Sequence, residues 1–487
     1  MEAQTIQAYK LMHRGTQAFA EIENHGMRVD VDYCKKQMAH LTRRIDYVKN
    51  KLQHTEEVVK WKKIYGDKFN MDSNPQLADV LFNHFGYETE VLTAKGNPSA
   101  SQESLESIGL PITEDLILMR RLLKARDTYI SNFLEEQVNG YLHSFFNLHT
   151  VVTFRSSCSR INFQNQPTRI DYMKRIIRRA IIPRPGFMIG EIDYGGIEVK
   201  GATFYHKDPN MIDEIINPER DMHRDMAVEC YKLEKDAWTK EIRYCGKNKF
   251  VFPQFYGDYY VNCAKHLWTA IDQLKLKTKD GTPLKKHLKT QGLGTLKRFE
   301  RHIQKVEDLF WNKRFPVYNK WKERHWQEYQ RKGYVDLLTG FRCKGVMSRN
   351  DAINYPIQGV AFHCLLWSLI RLHDWLKDND MQTRIIGQIH DSIVLEIYPP
   401  ELNEVLAMAD KIMTVDIRSH WIWINVPLEI EVELSPVDGS WYLKKEVNNK
   451  WCDKCYSHWQ YVNKTQTATL YQCPVCGNKG EEQHGMD

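Results

Sequence analysis

Asp193 closes a β-branched run in FMIGEIDYGGIEVKGATF, Phe187 to Phe204, and is followed by Tyr194, a Gly195-Gly196 turn and Glu198. A carboxylate at a strand end often holds a metal, but the same residue type caps helices, so this stretch alone leaves both readings open. A second candidate lies in IIGQIHDSIVLEIYPP, Ile385 to Pro400, where the polar pair His390-Asp391 interrupts an alternating β-branched stretch. Taken alone, that pair reads equally well as a hairpin turn and as a metal site. Two carboxylates brought together can hold two Mg²⁺ about 3.5–4 Å apart, one activating an attacking oxygen and the other stabilising a leaving one during phosphoryl transfer. EIRYCGKNKFVFPQFYGD, Glu241 to Asp258, supplies the opposite charge. Arg243 and Lys247 are four apart and share a helix face that could grip a triphosphate, although an exposed basic face is the commoner meaning of such a pair. Phe252, Phe255 and Tyr256, with Gly257 following, offer rings for a base to stack on.

Strands and helices must present these residues. The alternation at residues 333–342, 383–398 and 427–434 predicts strands, and the pattern from about 208 to 332 is helical. The first 60 or so residues also read as helix, with Leu11, Phe19, Ile22, Met38, Leu41, Ile45 and Val48 at helical spacing. Ser73 or Asn74 is a helix cap with Pro75 in the first turn, and TAKGNPSASQESLESIG is a polar connection to a second capped helix. With 487 residues, 42% hydrophobic and 11% aromatic, the chain can fill several cores. No apolar run approaches the roughly 20 residues of a membrane span. MEAQTIQAYK lacks the basic start and apolar core of a secretory signal, so a cytoplasmic protein without a membrane partner is expected. The net charge of +6 points weakly to polyanions. Within it, RIDYMKRIIRRAIIPR, Arg169 to Arg184, leads into the Asp193 strand and is read as phosphate-facing. A second, Lys-rich run from Lys275 to Arg298 is as well explained by a solvated helix face.

The order and spacing of these stretches resemble family A DNA polymerases, the bacterial polymerase I type and its phage relatives. DYGGIEVK resembles the family's first metal-binding motif, RYCGKNKFVFPQFYG its nucleotide-binding fingers helix, and IHDSI its second metal motif. SCSRINFQNQP, DMHRDMA, RNDAINYPIQG, AEIENHGMRVDVDY and FNMDSNPQLADVLF are further matches, so the resemblance covers roughly residues 15 to 440 in order. It implies an α+β right-hand polymerase: an N-terminal helix joining the palm (1–30), a thumb (31–140), a palm with an antiparallel sheet (141–205 and 346–446) and helical fingers (206–345). It also implies roles. Asp193 and Asp391, with the Tyr194 carbonyl, would hold two catalytic Mg²⁺, for which Mn²⁺ could substitute. Arg243 and Lys247 would bind the triphosphate, Glu198 would exclude a 2′-hydroxyl, and Tyr256, Phe252 and His223 would complete the nucleotide site. His390, Arg155, Gln358, Asn354, Gln164 and Asn165 would lie along primer and template. The implied partners are primer-template DNA and dNTPs, acted on by a monomer in the cytoplasm of a bacterial or phage-infected cell. An RNA polymerase or primase using NTPs is the rival enzyme, and a non-catalytic DNA-binding protein the rival outside enzymes.

The sequence departs from the family pattern in four places. Ser392 follows His390-Asp391 where the family has glutamate. The spacing from Lys247 to Tyr256 is one residue longer, with Pro253 inside it, which leaves open whether Phe252 or Tyr256 meets the sugar. Arg349 stands one residue further from Asn354. Only about 20 residues precede EIENHGMRVD, so no 3′-5′ exonuclease activity is expected, and a separate exonuclease or replisome protein would be a partner. Beyond the resemblance, Cys452-x2-Cys455 and Cys473-x2-Cys476, with 17 residues between the pairs, have the spacing of a small four-cysteine zinc ribbon over residues 447–487 holding one structural Zn²⁺. The other seven cysteines read as core residues.

Overall fold

The computed structural model describes residues 5–89, 91–93, 95–167 and 170–447, and the backbone alone of 460–464, 468–472 and 479–483. Five strands form the central sheet: β1 (Met188–Tyr194), β2 (Arg384–Ile389), β3 (Ser392–Ile397), β4 (Ile430–Leu434) and β5 (Lys445–Val447). Their order is β5-β4-β1-β3-β2, and every neighbouring pair is antiparallel. All of β3 and nearly all of β2 are buried, which is why these segments read as apolar runs rather than strict alternation. The three strands of 460–464, 468–472 and 479–483 make a separate antiparallel sheet. Cys452, Cys455, Cys473 and Cys476, like Arg169 at the start of the first basic run, lie outside the described residues.

Helices cover the sheet. α1 (Thr5–His25) buries Leu11, Phe19 and Ile22, lies against β2, and places the His25 Nδ1 2.9 Å from the Ile385 carbonyl. α2 (Val31–Gln53) starts where the Asp30 carboxylate accepts from the Tyr33 amide. Cys34, Leu41, Ile45, Val48 and Leu52 make its buried stripe, packed along α3 (Pro111–Leu123). Between them Ser73 caps the helix carrying Pro75, and Ser101 caps Gln102–Ile108 after the polar connection.

Beyond β1 the chain builds a lobe from α4 (Ile197–His206), α5 (Met222–Tyr231), α6 (Lys240–Gly246), α7 (Tyr260–Gln273), α8 (Leu284–Thr290) and α9 (Leu296–Leu309). Its buried cluster runs from Ala202 to Trp321 and is joined by Ile353 and Ile357, whereas the sheet and the N-terminal helices share another. α10 (Arg349–Asp378) spans both, begun by a reciprocal Ser348–Asp351 cap. Pro356 inside it has no N–H for the Ala352 carbonyl, and His325 Nε2 meets that carbonyl at 3.1 Å instead. Helical continuity past Pro356 keeps Asn354 and Gln358 on adjacent turns facing the cleft. The seven cysteines within the described residues are all buried and free.

Candidate active site

The acidic side of the cleft is strand-borne. Register sets Asp193 opposite Ser392 on one side and Glu431 on the other. Ile389 pairs with Ser392, so His390 and Asp391 are the two turn residues of the β2–β3 hairpin, with His390 at φ 51. The Tyr194 amide donates to the Asp391 carbonyl at 3.2 Å, tying strand end to turn tip. The pair is therefore a hairpin turn, and the turn brings Asp391 beside Asp193. Burial, then the charges of Asp391 and Glu191, push the Asp193 carboxyl up to about 7. Burial pushes Asp391 up to about 6 against the attraction of Arg155. Asp391 Oδ1 is buried with no hydrogen-bond partner, 3.9 Å from Arg155 Nη2. Two half-buried carboxyls, one with an unmet oxygen, are hard oxygen donors, which is what a divalent cation such as Mg²⁺ requires. Among the described residues, no three or more His, Cys, Asp or Glu side chains converge on one point.

Several residues that sequence reasoning passed over hold this pair. Glu191, two residues before Asp193, accepts from Ser392 Oγ at 2.9 Å and from Trp441 Nε1 at 3.0 Å, and is ion-paired to Lys444. Lys444, only 3% exposed, also reaches Glu433 at 2.8 Å. Burial opposes ionisation of Glu191, yet Lys444 and the two hydrogen bonds hold it below the usual carboxylate range. Gln388 accepts from Ser156 Oγ at 2.6 Å and Gln164 Nε2 at 2.9 Å, and donates to the His390 carbonyl at 2.6 Å. Gln164 is thereby tied to the turn. The available signal was a polar residue inside each apolar run, GEIDY and GQIHD, that had to be satisfied somewhere.

The basic side is helix-borne. A Cβ on Gly246 would fall 2.6 Å from the His223 carbonyl, so only glycine allows α6 to lie this close to α5. That approach sets Arg243 and Lys247 beside His223. Arg243 Nε donates to Asp221 at 2.7 Å, and Asp221 also caps α5. Burial, then Lys247 and Arg243, lower His223 to about 4. After Gly246 the helix widens to a π turn, Lys247–Val251, before resuming over Phe252–Phe255. The Phe252 amide reaches the Lys247 carbonyl five residues back, and the next residue, Pro253, has no amide to offer. The π turn accommodates one more residue than a regular helical turn, and the proline falls where the regular ladder has already been interrupted.

The two sides meet over Glu198 in the first turn of α4. The Tyr256 hydroxyl donates to Glu198 Oε2 at 2.5 Å and Arg155 Nη1 to Oε1 at 3.2 Å. Tyr256 is thus the ring touching Glu198, while Phe252 packs edge-on to His223 and lies 5.2 Å from Lys247 Nζ. Burial and the Glu198 carboxylate push the Tyr256 phenol up. Glu198, Phe252, Tyr256, Asn354, Gln358 and Asp391 line a cavity of about 190 Å³. Phe252 also lines an adjoining cleft of about 430 Å³ that carries His223, Arg243, Lys247, Arg220 and Arg224. Asn354 Nδ2 donates to the Tyr256 carbonyl at 3.3 Å, bracing the helix end from α10. Asn165 is not in this group. It lines a separate cavity of about 490 Å³ with Lys124, Arg160 and Asn162, where its carbonyl accepts from Tyr129. Arg349, one residue displaced in the sequence, is ion-paired to Glu323. The arrangement sets an acidic side against a basic side across a ring-lined pocket.

The chain is 26% identical over 442 residues to the DNA polymerase I of Chloroflexus aurantiacus, covering 86% of this chain and 42% of that protein. It is 28% identical over 372 residues to the DNA polymerase of Bacillus phage SP01, covering 72% of this chain and 37% of that one. The chain therefore spans less than half the length of these relatives. Its fold matches the polymerase domain of Pol1 from M. smegmatis, solved in complex with DNA primer-template and dNTP, at a TM-score of 0.70 and 21% identity, over 88% of this chain and 70% of that one. With residues 35–441 matching the sequence profile of the family, the chain belongs to DNA polymerase family A.

Proposed function

We propose that the chain is a DNA-directed DNA polymerase that adds dNTPs to a primer 3′ end on a template. The observation that carries this reading is the convergence of Asp193, Asp391, Glu198, Tyr256, Arg243 and Lys247 on one continuous cleft. The family assignment and the DNA-bound structural relative support it. In this reading Asp193 and Asp391, with the Tyr194 carbonyl, would hold two Mg²⁺, which would supply activation of the 3′-hydroxyl and stabilisation of the negative charge on the leaving pyrophosphate. Arg243 and Lys247 take the triphosphate, and binding it exchanges the Asp221 partner of Arg243 for phosphate oxygens. His223, uncharged at neutral pH, presents a hydrogen-bonding ring nitrogen beside them. Glu198, pinned by Tyr256 and Arg155, occupies the space a ribose 2′-hydroxyl would need. Arg155 and Gln358 would probe minor-groove acceptors common to all correct pairs. Asn354, His390 and Gln164 line the path of template and primer, with Asn165 further out near the thumb. Positioning and fixed charge, rather than proton transfer by a side chain, supply most of the acceleration.

The second metal motif works with Ser392 because Glu191 supplies a carboxylate to the same turn from the neighbouring strand. A structural Zn²⁺ at Cys452, Cys455, Cys473 and Cys476 rests on cysteine spacing alone.

Primer extension with dNTPs or NTPs tests the reading. Extension with dNTPs, together with NTP use that rises about 10-fold or more in Glu198→Ala, is expected. Extension by wild type with NTPs alone would favour an RNA polymerase.

A further inference from the structure

The Lys-rich run singled out in the sequence lies on α8, α9 and the hairpin before them, outside the cleft. Between Lys275 and Lys305 the chain carries eight lysines and two arginines against two carboxylates, Asp280 and Glu300. That excess exceeds the net +6 of the entire chain. All ten basic side chains belong to exposed residues, whereas Leu276, Leu284, Leu288, Phe299, Ile303 and Val306 turn into the lobe's core. Among the described residues only Lys285 of the ten is in an ion pair, with Asp272.

The placement of these charges costs stability. Lys297, Arg301 and Lys305 are spaced i, i+4, i+8 on one face of α9, and Lys285 and Lys289 are i, i+4 on α8. Like charges at that spacing repel and destabilise a helix. An ordinary solvated face would alternate signs, so the face is built for a partner that removes the repulsion. Phe299, the only Phe, Tyr or Trp in the run, is buried, and the neighbouring half-buried Trp268 ring is covered by Lys285 at 5.6 Å from its centroid, so the surface offers little for stacking unpaired bases. Lysine outnumbers arginine four to one, which favours point-charge contact with phosphates over bidentate reading of base edges. The lobe is continuous with the nucleotide-binding helix, since α7 begins three residues after Gly257 and packs with both α6 and α9.

We propose that this face of α8 and α9 is a second DNA-binding surface, outside the active-site cleft, that holds the phosphate backbone of duplex DNA without regard to sequence. It rests on the reading of the chain as a DNA polymerase, since that is what brings duplex DNA to the molecule.

The test is duplex binding by the full chain, followed by fluorescence anisotropy from about 50 to 200 mM salt without nucleotide or divalent metal, so its answer does not depend on incorporation. A fivefold Gln variant of Lys286, Lys289, Lys297, Arg301 and Lys305 is compared with one carrying Arg at the four lysines. The Gln variant should bind duplex at least about 10-fold more weakly, with a salt slope shallower by about 0.9 for each phosphate it no longer neutralises, while the Arg variant binds as wild type does. Unchanged duplex affinity and slope in the Gln variant, with its melting temperature intact, would overturn the proposal. So would a loss confined to single-stranded DNA, or an equal loss in the Arg variant.

Discussion

Asp193 lies at the end of β1 and Asp391 in the turn of the hairpin paired with it, whereas Arg243 and Lys247 sit on a helix that widens into a π turn just beyond them. The acidic side is fixed by backbone register and by a buried network reaching from Ser392 through Glu191 to Trp441 and Lys444. The basic side is fixed by one close helix approach at Gly246 and one ion pair to Asp221. Charges that must stay a few ångströms apart with nothing between them need a rigid frame. Charges that must close on a large anion and let it go can be held by a partner the anion displaces. The difference predicts which substitutions abolish chemistry and which weaken only binding.

The largest effect is expected on the strand-borne side. Asp193→Asn should reduce single-turnover nucleotide addition on the order of 10³-fold while DNA affinity changes little, measured by rapid quench alongside anisotropy. Loss of DNA binding in parallel with rate would break the distinction. Lys444→Met comes next, because it leaves Glu191 charged and buried without its partner. Denaturant unfolding should show about 3–5 kcal/mol of lost stability, and Lys444→Met with Glu191→Gln should recover part of it. A change below about 1 kcal/mol would mean the network does not hold the sheet.

On the helix-borne side, Arg243→Gln should raise the KM for dNTP roughly 10- to 100-fold with a smaller change in kcat, as expected when one charge-assisted hydrogen bond is removed. A loss in kcat alone would place Arg243 with the acidic residues. The last effect, negligible at neutral pH, falls on the scaffold both sides share. Burial lowers His206 and His363 to about 3, below the ordinary value of 6.5. The unfolded chain therefore binds protons that the folded chain does not. Their contribution to stability should be full above about pH 6.5 and be lost as pH drops toward 3, by up to about 1.4 kcal/mol per pH unit for each histidine, offset in part by the raised Asp193 and Asp391 carboxyls, which take up protons in the folded chain over the same range. His363→Gln should flatten part of that fall in pH-dependent melting, and an unaltered profile would count against it.

The strand-borne site was the more legible in the sequence. Asp193 at a strand end and Asp391 in a two-residue turn follow from alternation and turn chemistry, both local signals. The two capped helices were legible for the same reason, the first cap only as Ser73 or Asn74 and the second without its residue, which the structure gives as Ser101. The supporting carboxylate was not, because Glu191 and Lys444 are 253 residues apart and only the sheet order brings them together. The helix from Lys240 to Phe255 was half legible. Arg243 and Lys247 read as one face, but the choice between Phe252 and Tyr256 required knowing where the extra residue goes, and a π turn leaves no compositional mark beyond the proline after it. The Lys275 to Arg298 run could not be separated from a solvated face until its pairing and its like-charge spacing could be seen together.

The most direct measurement compares wild type with Asp391→Asn in templated addition of a single dNTP across a Mg²⁺ titration, with Mg²⁺ binding followed independently by calorimetry. The account predicts addition by wild type, saturating with the metal it binds, and loss of both the reaction and at least one binding event in the variant. Undiminished addition by Asp391→Asn would contradict the placing of the chemistry between β1 and the β2–β3 turn.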